Sequence, residues 1–471
     1  MNRRNFLKAS SFLSASLLTS CKSKKESESF ALNNILDEVK KEHSQSFNMC
    51  NYAAPEIDTI HIGFIGVGAR GSNAVERISH IDGVKITAIC DVLDEHAQKA
   101  KKRIKTEGHP AVIYSGKEDS WIELCRRDDL DLIYICTPWA LHAPIAIFAM
   151  EHGKHVATEI PAATTVEDCW KIVQTSEKTK KHCVILENCC YDFFELLTLN
   201  LARQGFFGDI VHCEGAYIHE IGESLFFRGK PGRSWRLGEN MKRNGNLYPT
   251  HGLGPVAQIM NINRGNKMEY LVSMQTEDFH MNNYAKELSK KDDYFKQFID
   301  APFRGNMNTT TIKTVKGQTI MLQHDVTTPR PYSRLHTISG TKAIAQKYPE
   351  PPRLAIGRND WMPESELKKL EEKYAPALIK KVGELAKQVG GHGGMDFLMD
   401  WRLIDCLRNG LPMDMDVYDA ASWSVIGPLS EWSVANRSMP IDIPDFTNGK
   451  WKTNKPVDIS LSKGGNTKVK I

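Results

Sequence analysis

The chain has 471 residues and lacks several features that would mark its class outright. No apolar run reaches the roughly 18 residues a membrane-spanning helix needs, so no span is expected. Charge of one sign is scarce: 61 basic against 57 acidic residues leave a net +4. That balance argues against a nucleic-acid partner, which would call for a basic face. There are 11 cysteines, yet none forms a C-x-x-C pair and no Cys/His spacing suits zinc, so no metal site is expected. Cys90, Cys136, Cys183 and Cys213 lie in apolar, strand-like runs and read as small buried hydrophobes. Cys189-Cys190 is an adjacent pair in which a vicinal disulfide would be strained. Outside the N-terminus there is no internal repeat and no low-complexity tract.

The first 21 residues read as an address. Arg3 and Arg4 precede Phe6, Leu7 and Lys8, then a mostly small and apolar segment, as in a bacterial twin-arginine signal. The segment ends in Leu18-Thr19-Ser20-Cys21, which is similar to a lipoprotein cleavage site with Cys21 as the lipidated first residue. The expected location is therefore the periplasm or cell envelope, held by a lipid anchor. Removing the signal takes away Arg3, Arg4 and Lys8, most of the excess positive charge. Residues 22–58 are polar and weakly periodic, and read as a tether with a short capping segment.

From residue 59 to 188, short apolar strands alternate with amphipathic stretches, which predicts a doubly wound parallel Rossmann sheet. Continuous apolar residues in LDLIYICTP fit a strand buried on both faces. Gly66, Gly68 and Gly71 form G-x-G-x-x-G between a strand and a helix, and Asp91 closes the next strand. A lone match is weak, but this context suits a dinucleotide: backbone close to a pyrophosphate, and a carboxylate for the ribose hydroxyls. Asp91 would repel a 2′-phosphate, so NAD is expected over NADP. Thr137-Pro138-Trp139 with His142, and Glu159-Ile160-Pro161, lie at two further strand ends that would extend the cofactor bed.

After about residue 205 the strands lengthen and alternate apolar with polar. Residues 189–471 are expected to form an α+β domain on a large, mainly antiparallel open sheet, for an α/β fold overall. Within it, RNGNLYPTHGLGPV crowds Tyr248, Pro249, Thr250 and His251 between glycines that would permit close ligand approach. Tyr217, His219, Arg236 and Tyr332 lie in neighbouring segments. Aromatic faces with Arg and Tyr donors suit a sugar, whose ring faces are apolar and whose hydroxyls radiate.

GFIGVGARG, CDV, CTPWALH and GKHVATEIP resemble the glucose-fructose and inositol sugar oxidoreductases. Dehydrogenases of that family read E-K-P where this chain has Glu159-Ile160-Pro161. ATEIPAATT, LENCCYDFFEL, EGAYIHE, GNLYPTHGLGP, TTPRPYSR and GGHGGMDFLMDWRL narrow the resemblance to glycoside hydrolase family 109, over residues 62 to about 420. The resemblance implies an α-N-acetylgalactosaminidase with tightly held NAD, working by redox-neutral oxidation, elimination and addition on glycans. It implies NAD contacts at Gly66, Gly68, Arg70, Gly71, Asp91, Trp139, Ala140, Leu141, His142, Glu159, Ile160, Asn188 and Tyr248. It implies sugar contacts at Tyr217, Arg236, Tyr248, Pro249, Thr250, His251 and Tyr332. His251, Tyr248 and Tyr217 are the candidates for proton transfer, with Tyr217 or Tyr332 assisting the leaving group. Pairing of exposed sheets into a homodimer is a further implication. The rival readings are an exported NAD-dependent sugar oxidoreductase, a β-N-acetylhexosaminidase of the same mechanism, and a non-catalytic sugar-binding lipoprotein. No paired acids beside the sugar cluster suggest a two-carboxylate glycosidase.

Overall fold

A computed structural model describes residues 34–227, 235–358 and 360–470. The expected signal and Cys21 lie outside these residues. The chain divides into a short unit ending at Glu42 and a main unit beginning at His43. In the first, residues 34–39 are helical. In the second, the opening segment is packed: Met49 and Cys50 are buried, and the Tyr418 hydroxyl accepts the Met49 N–H at 3.2 Å. Among the described residues no helix is long and apolar enough to cross a membrane.

Six strands form the first sheet: β1 (Ile60–Ile65), β2 (Val84–Asp91), β3 (Val112–Ser115), β4 (Leu132–Ile135), β5 (His155–Thr158) and β6 (Cys183–Ile185). Their order is β3-β2-β1-β4-β5-β6, with every pair parallel. Each residue of β4 is buried, as its unbroken apolar run requires. The order reverses between β1 and β4, and ligands of such sheets bind at that reversal, beyond the carboxyl ends of the strands.

Eight strands form the second: β7 (Ile210–Ile218), β8 (Met268–Gln275), β9 (Met307–Thr314), β10 (Thr319–Asp325), β11 (Ser333–Gly340), β12 (Ala343–Gln346), β13 (Arg353–Ile356) and β14 (Ile441–Asp442). Their order is β13-β12-β11-β7-β10-β9-β8-β14. All neighbours are antiparallel except β7 and β10, which run parallel with Tyr217 opposite His324. The expected mainly antiparallel sheet is therefore present with one parallel seam.

The helix Thr250–Ile259 lies directly on β7. A Cβ on Gly252 would stand 2.3 Å from the Ala216 nitrogen, and one on Gly215 2.3 Å from the Gly252 oxygen. These glycines let backbone meet backbone; they do not admit a ligand, which corrects the reading of Gly252. Two helices, Glu364–Tyr374 and Ala377–Val389, are parted at Pro376. Met395–Arg408 is buried on nearly all sides and packs back on the first sheet, where Asp400 accepts from Arg77 Nε and from the Tyr134 hydroxyl, both at 2.8 Å. The closing segment wraps the surface but also inserts: Phe446 is buried, and Val469 bridges to Ile81. The described cysteines are all free, and all but Cys136 are buried, Cys189 and Cys190 included.

Candidate active site

The glycine loop follows β1. Gly66 has φ +81°, and a Cβ there would sit 2.7 Å from the Thr137 nitrogen, so this position needs glycine. A Cβ on Gly71 would lie within 2.1 Å of the Gly66 oxygen. At Gly68, by contrast, no described atom comes within 4 Å of the Cβ position. Gly68 precedes the helix Ala69–Ser79, whose N-terminus no described side chain caps. The loop is thus closed against protein at Gly66 and Gly71 and open where helix N–H groups face outward, as a pyrophosphate requires. Asp91 ends β2 with Oδ2 accepting from Val67 N–H at 2.8 Å and Oδ1 from Leu93 N–H at 2.9 Å. Oδ1 also faces His96 Nδ1 at 3.4 Å, and Oδ2 keeps a lone pair for a ribose hydroxyl. These residues fit NAD.

An ionic web borders that bed. Arg70 donates from Nε to Glu159 at 2.6 Å and from Nη1 to Asp396 at 2.7 Å. Asp396 also accepts from Asn188 Nδ2 at 2.6 Å, pairs with Arg77 at 3.5 Å and contacts His392 Nδ1 at 2.9 Å. Burial pushes the Asp396 carboxyl up, but His392, Arg70 and Arg77 together hold it well below the usual carboxylate range. The side chains of Arg70, Glu159 and Asn188 are thus engaged by one another or by Asp396. Trp139, Ala140 and Leu141 form a single 3-10 turn, with Ala140 and Leu141 exposed. Ile160 is buried. His142 departs from expectation: it is buried, with ring nitrogens 2.7 Å from the Pro161 and Thr137 oxygens. It braces the two strand-end turns and presents no free nitrogen to a cofactor.

The sugar side is built of rings. Tyr217 and Tyr248 are 4.7 Å apart by centroid, and His251 stands 5.3 Å from the first and 5.0 Å from the second. Trp139 stacks on Tyr248 at 5.6 Å, which joins the cofactor bed to this cluster. The Arg236 guanidinium lies over Trp235, Tyr248 and Trp139, at 5.1, 5.7 and 5.8 Å. Tyr332, 38% exposed, sits at the rim against His219, ring centroids 5.1 Å apart. Burial raises the Tyr248, Tyr217 and Tyr332 phenols, with Arg236 opposing it at the first two and Arg334 at the third. Such phenols are weak acids at neutral pH, which counts against Tyr217 or Tyr332 as donor to a leaving group. Pro249 and Thr250 are buried, and the Thr250 hydroxyl has no hydrogen-bond partner among the described residues.

Three residues outside the expected set matter. Glu187, fully buried, accepts from His251 Nδ1 at 2.7 Å, and Cys189 Sγ lies 3.2 Å from the same nitrogen. Burial raises the Glu187 carboxyl, but the charge and hydrogen bond of His251 pull it below its ordinary value. The bond fixes the imidazole and leaves Nε2 for the site. Glu187, Cys189 and His251 bring a carboxylate, a thiol and an imidazole within 4.8 Å, a set sequence spacing does not announce. Their mutual bonds account for them. The third, His392, sits in Gly390–Gly394, where five consecutive residues have positive φ and only His392 is not glycine. Its side chain is 62% exposed, and its charge reaches His219. The density of glycine in GGHGG was the available signal for a special loop.

Residues 60–187 match the oxidoreductase family with an NAD-binding Rossmann fold. A levoglucosan dehydrogenase, solved in complex with NADH and levoglucosan, shares the fold at TM-score 0.61 and 17% identity, over 82% of this chain and 100% of that one. Fold and site thus define an enzyme built on an NAD-binding oxidoreductase frame. Residues 191–453 match the C-terminal domain of glycosyl hydrolase 109. A Bacteroides fragilis glycosyl hydrolase family 109 protein 1 is 46% identical over 417 residues, covering 85% of this chain and 88% of its own. A Bacteroides fragilis alpha-N-acetylgalactosaminidase is 48% identical over 406 residues, covering 85% and 95%. The chain belongs to glycosyl hydrolase family 109: it is a glycoside hydrolase that acts on glycans and carries an NAD-binding domain, with NAD as cofactor.

Proposed function

We propose that the chain removes terminal α-linked N-acetylgalactosamine by redox-neutral oxidation, elimination and addition. The observation that carries this reading is the Glu187–His251 pair, 2.7 Å apart, set against Tyr217 and Tyr248 beside the NAD bed. The relative named alpha-N-acetylgalactosaminidase supports the choice of sugar. Bound NAD supplies reversible removal of hydride from C3 of the sugar, which acidifies the proton on C2.

The chain's own residues supply the proton transfers. His251, held through Nδ1 by Glu187, accepts a proton at Nε2 from O3 and returns it at the end of the cycle. Tyr248 and Tyr217, held as neutral phenols by burial, hydrogen-bond the sugar hydroxyls beside His251. Arg236 positions the ring and stabilises an enolate, since a guanidinium does not deprotonate. His392, exposed and tied to Asp396, is better suited than Tyr217 or Tyr332 to protonate the departing aglycone. Ile160 leaves no lysine at the turn after β5, where the related dehydrogenases carry one.

We also propose export through the N-terminal twin-arginine segment, with Cys21 lipidated. A cofactor restored in every cycle is not consumed, so one loaded before export serves many turnovers. Loss of radiolabelled palmitate from a Cys21→Ser chain tests the anchor; retention overturns it. The catalytic reading is tested with purified protein, no added cofactor and p-nitrophenyl α-N-acetylgalactosaminide in deuterated water. The expected result is nitrophenol release with deuterium at C2 of the freed sugar. Release without deuterium overturns the elimination route. Bound-cofactor reduction by free sugars without release points to the oxidoreductase reading, and preference for the β-glycoside to a β-N-acetylhexosaminidase.

A further inference from the structure

Beside the sugar-side rings, Trp139, Tyr217, Arg236 and Tyr248 line a small cavity together with Asn240, His324, Leu247 and Val326. His324 lies on β10 opposite Tyr217 on β7 in parallel register, so both side chains share one face of the sheet. Their rings are nearly parallel, 17° apart, with centroids separated by 6.2 Å. Asn240 is on the helix Trp235–Lys242, and its Nδ2 is spent on the Arg236 carbonyl at 2.8 Å.

Two polar atoms here have no partner among the described residues: Asn240 Oδ1 and His324 Nδ1. The side chains are 5% and 3% exposed. Buried polar atoms are retained where water or a ligand satisfies them. Burial and the nearby Arg304 charge keep the His324 imidazole neutral, so it carries one N–H donor and one acceptor nitrogen. The cavity thus offers an acceptor, a neutral donor–acceptor ring and an apolar end within reach of the residues that hold the sugar.

We infer that this cavity receives the 2-acetamido group of the sugar, with Asn240 and His324 reading its amide and Leu247 and Val326 its methyl. The amide N–H suits Asn240 Oδ1, the amide oxygen suits the imidazole N–H, and the methyl meets the aliphatic wall. A 2-hydroxyl can donate and accept as the amide does, but it brings no methyl to the aliphatic wall. The inference rests on the glycosidase reading only for the identity of the sugar.

The test is calorimetric titration of the NAD-loaded full chain with N-acetylgalactosamine and with galactose. It compares the unaltered chain with Asn240→Leu, His324→Leu and Val326→Phe, each checked for a native melting transition. A site that hydrogen-bonds the amide should favour the N-acetyl sugar by at least about tenfold, a ratio the variants cut to within about threefold of unity. Val326→Phe fills the apolar end without touching either polar group, and carries the test where the other two do not fold. A ratio unchanged in the folded variants, an equal loss for both sugars, or no preference in the unaltered chain overturns the inference and leaves a cavity that holds structural water. Turnover of the nitrophenyl glycoside is read separately. A preserved binding preference without turnover sinks the glycosidase reading and leaves the acetamido site standing.

Discussion

The two walls of the active site are made of different material. The cofactor wall is ionic: Arg70 and Arg77 pair with Glu159, Asp396 and Asp400 at 2.6 to 3.5 Å. The sugar wall is made of rings, with one buried carboxylate, Glu187, behind His251. Paired charges hold a geometry and resist titration near neutrality. Rings held near a single ionisable pair keep protons that can move. The fixed charges lie beside the glycine loop, and the ionisable pair lies among the rings.

The largest expected effect breaks the sugar wall alone. Glu187→Gln should lower kcat about 10³-fold, the range of a lost general base, while NAD extracted from denatured protein stays stoichiometric. Because the Glu187 pKa is lowered in the folded state, its ionised pairing with His251 is intact above the ordinary carboxylate range. It is lost as pH falls through the lowered value, and an acid limb of that origin should vanish in the variant. Equal loss of NAD and activity would erase the distinction between the walls.

Asp396→Asn breaks the other wall. It removes the partner of Arg70 and costs about 3 kcal/mol of stability, as for a broken buried pair. The Asp396 pKa is depressed, so its contribution is complete above the ordinary carboxylate range and fades only as pH falls below it. Melting curves should therefore stay offset from about pH 7 down to about pH 4 and draw together only as pH falls further, toward the lowered value. An offset that does not narrow below about pH 4 would mean that Asp396 acts through packing.

His392→Gln tests the exposed histidine tied to Asp396 of the ionic wall. Alkyl aglycones, which need a proton to leave, should slow roughly 30-fold and p-nitrophenyl under about threefold. Uniform slowing would assign His392 to loop structure. The smallest effect is that of Asp91→Ala, for which NAD should bind about tenfold more weakly and the disfavour toward NADP should shrink. Competitive fluorescence titration of both nucleotides decides it.

What could be read from the chain alone follows how far apart the cooperating residues lie. The glycine loop, Asp91 and the six parallel strands announce themselves within a few residues, through apolar runs and turn glycines. Tyr248 and His251 were visible because they share one segment. Glu187 was not, although its neighbour Asn188 was expected at the site: its meaning depends on His251, 64 positions on. Arg70 and Asp396 are 326 positions apart, and only the folded chain shows that they meet. Gly252 carried a correct signal of close approach, but the approaching group is the β7 backbone. His142 has the right place and the wrong orientation, because two carbonyls claim its ring. The short β13 and β14 lack the length for a period-two pattern to show.

The parallel seam between β7 and β10 has a consequence for how the chain is made. The partners Tyr217 and His324 are separated by two intervening strands and the helix that carries His251. Such distant pairings are closed late and slowly in folding, since the loop between them must be ordered first. A nascent chain that ends before Thr319 lacks the strand between β7 and β9, and its second sheet is left in two unconnected pieces. A fragment that stops short of β10 therefore lacks the strand that joins β7 to β9, however well its nucleotide half has folded.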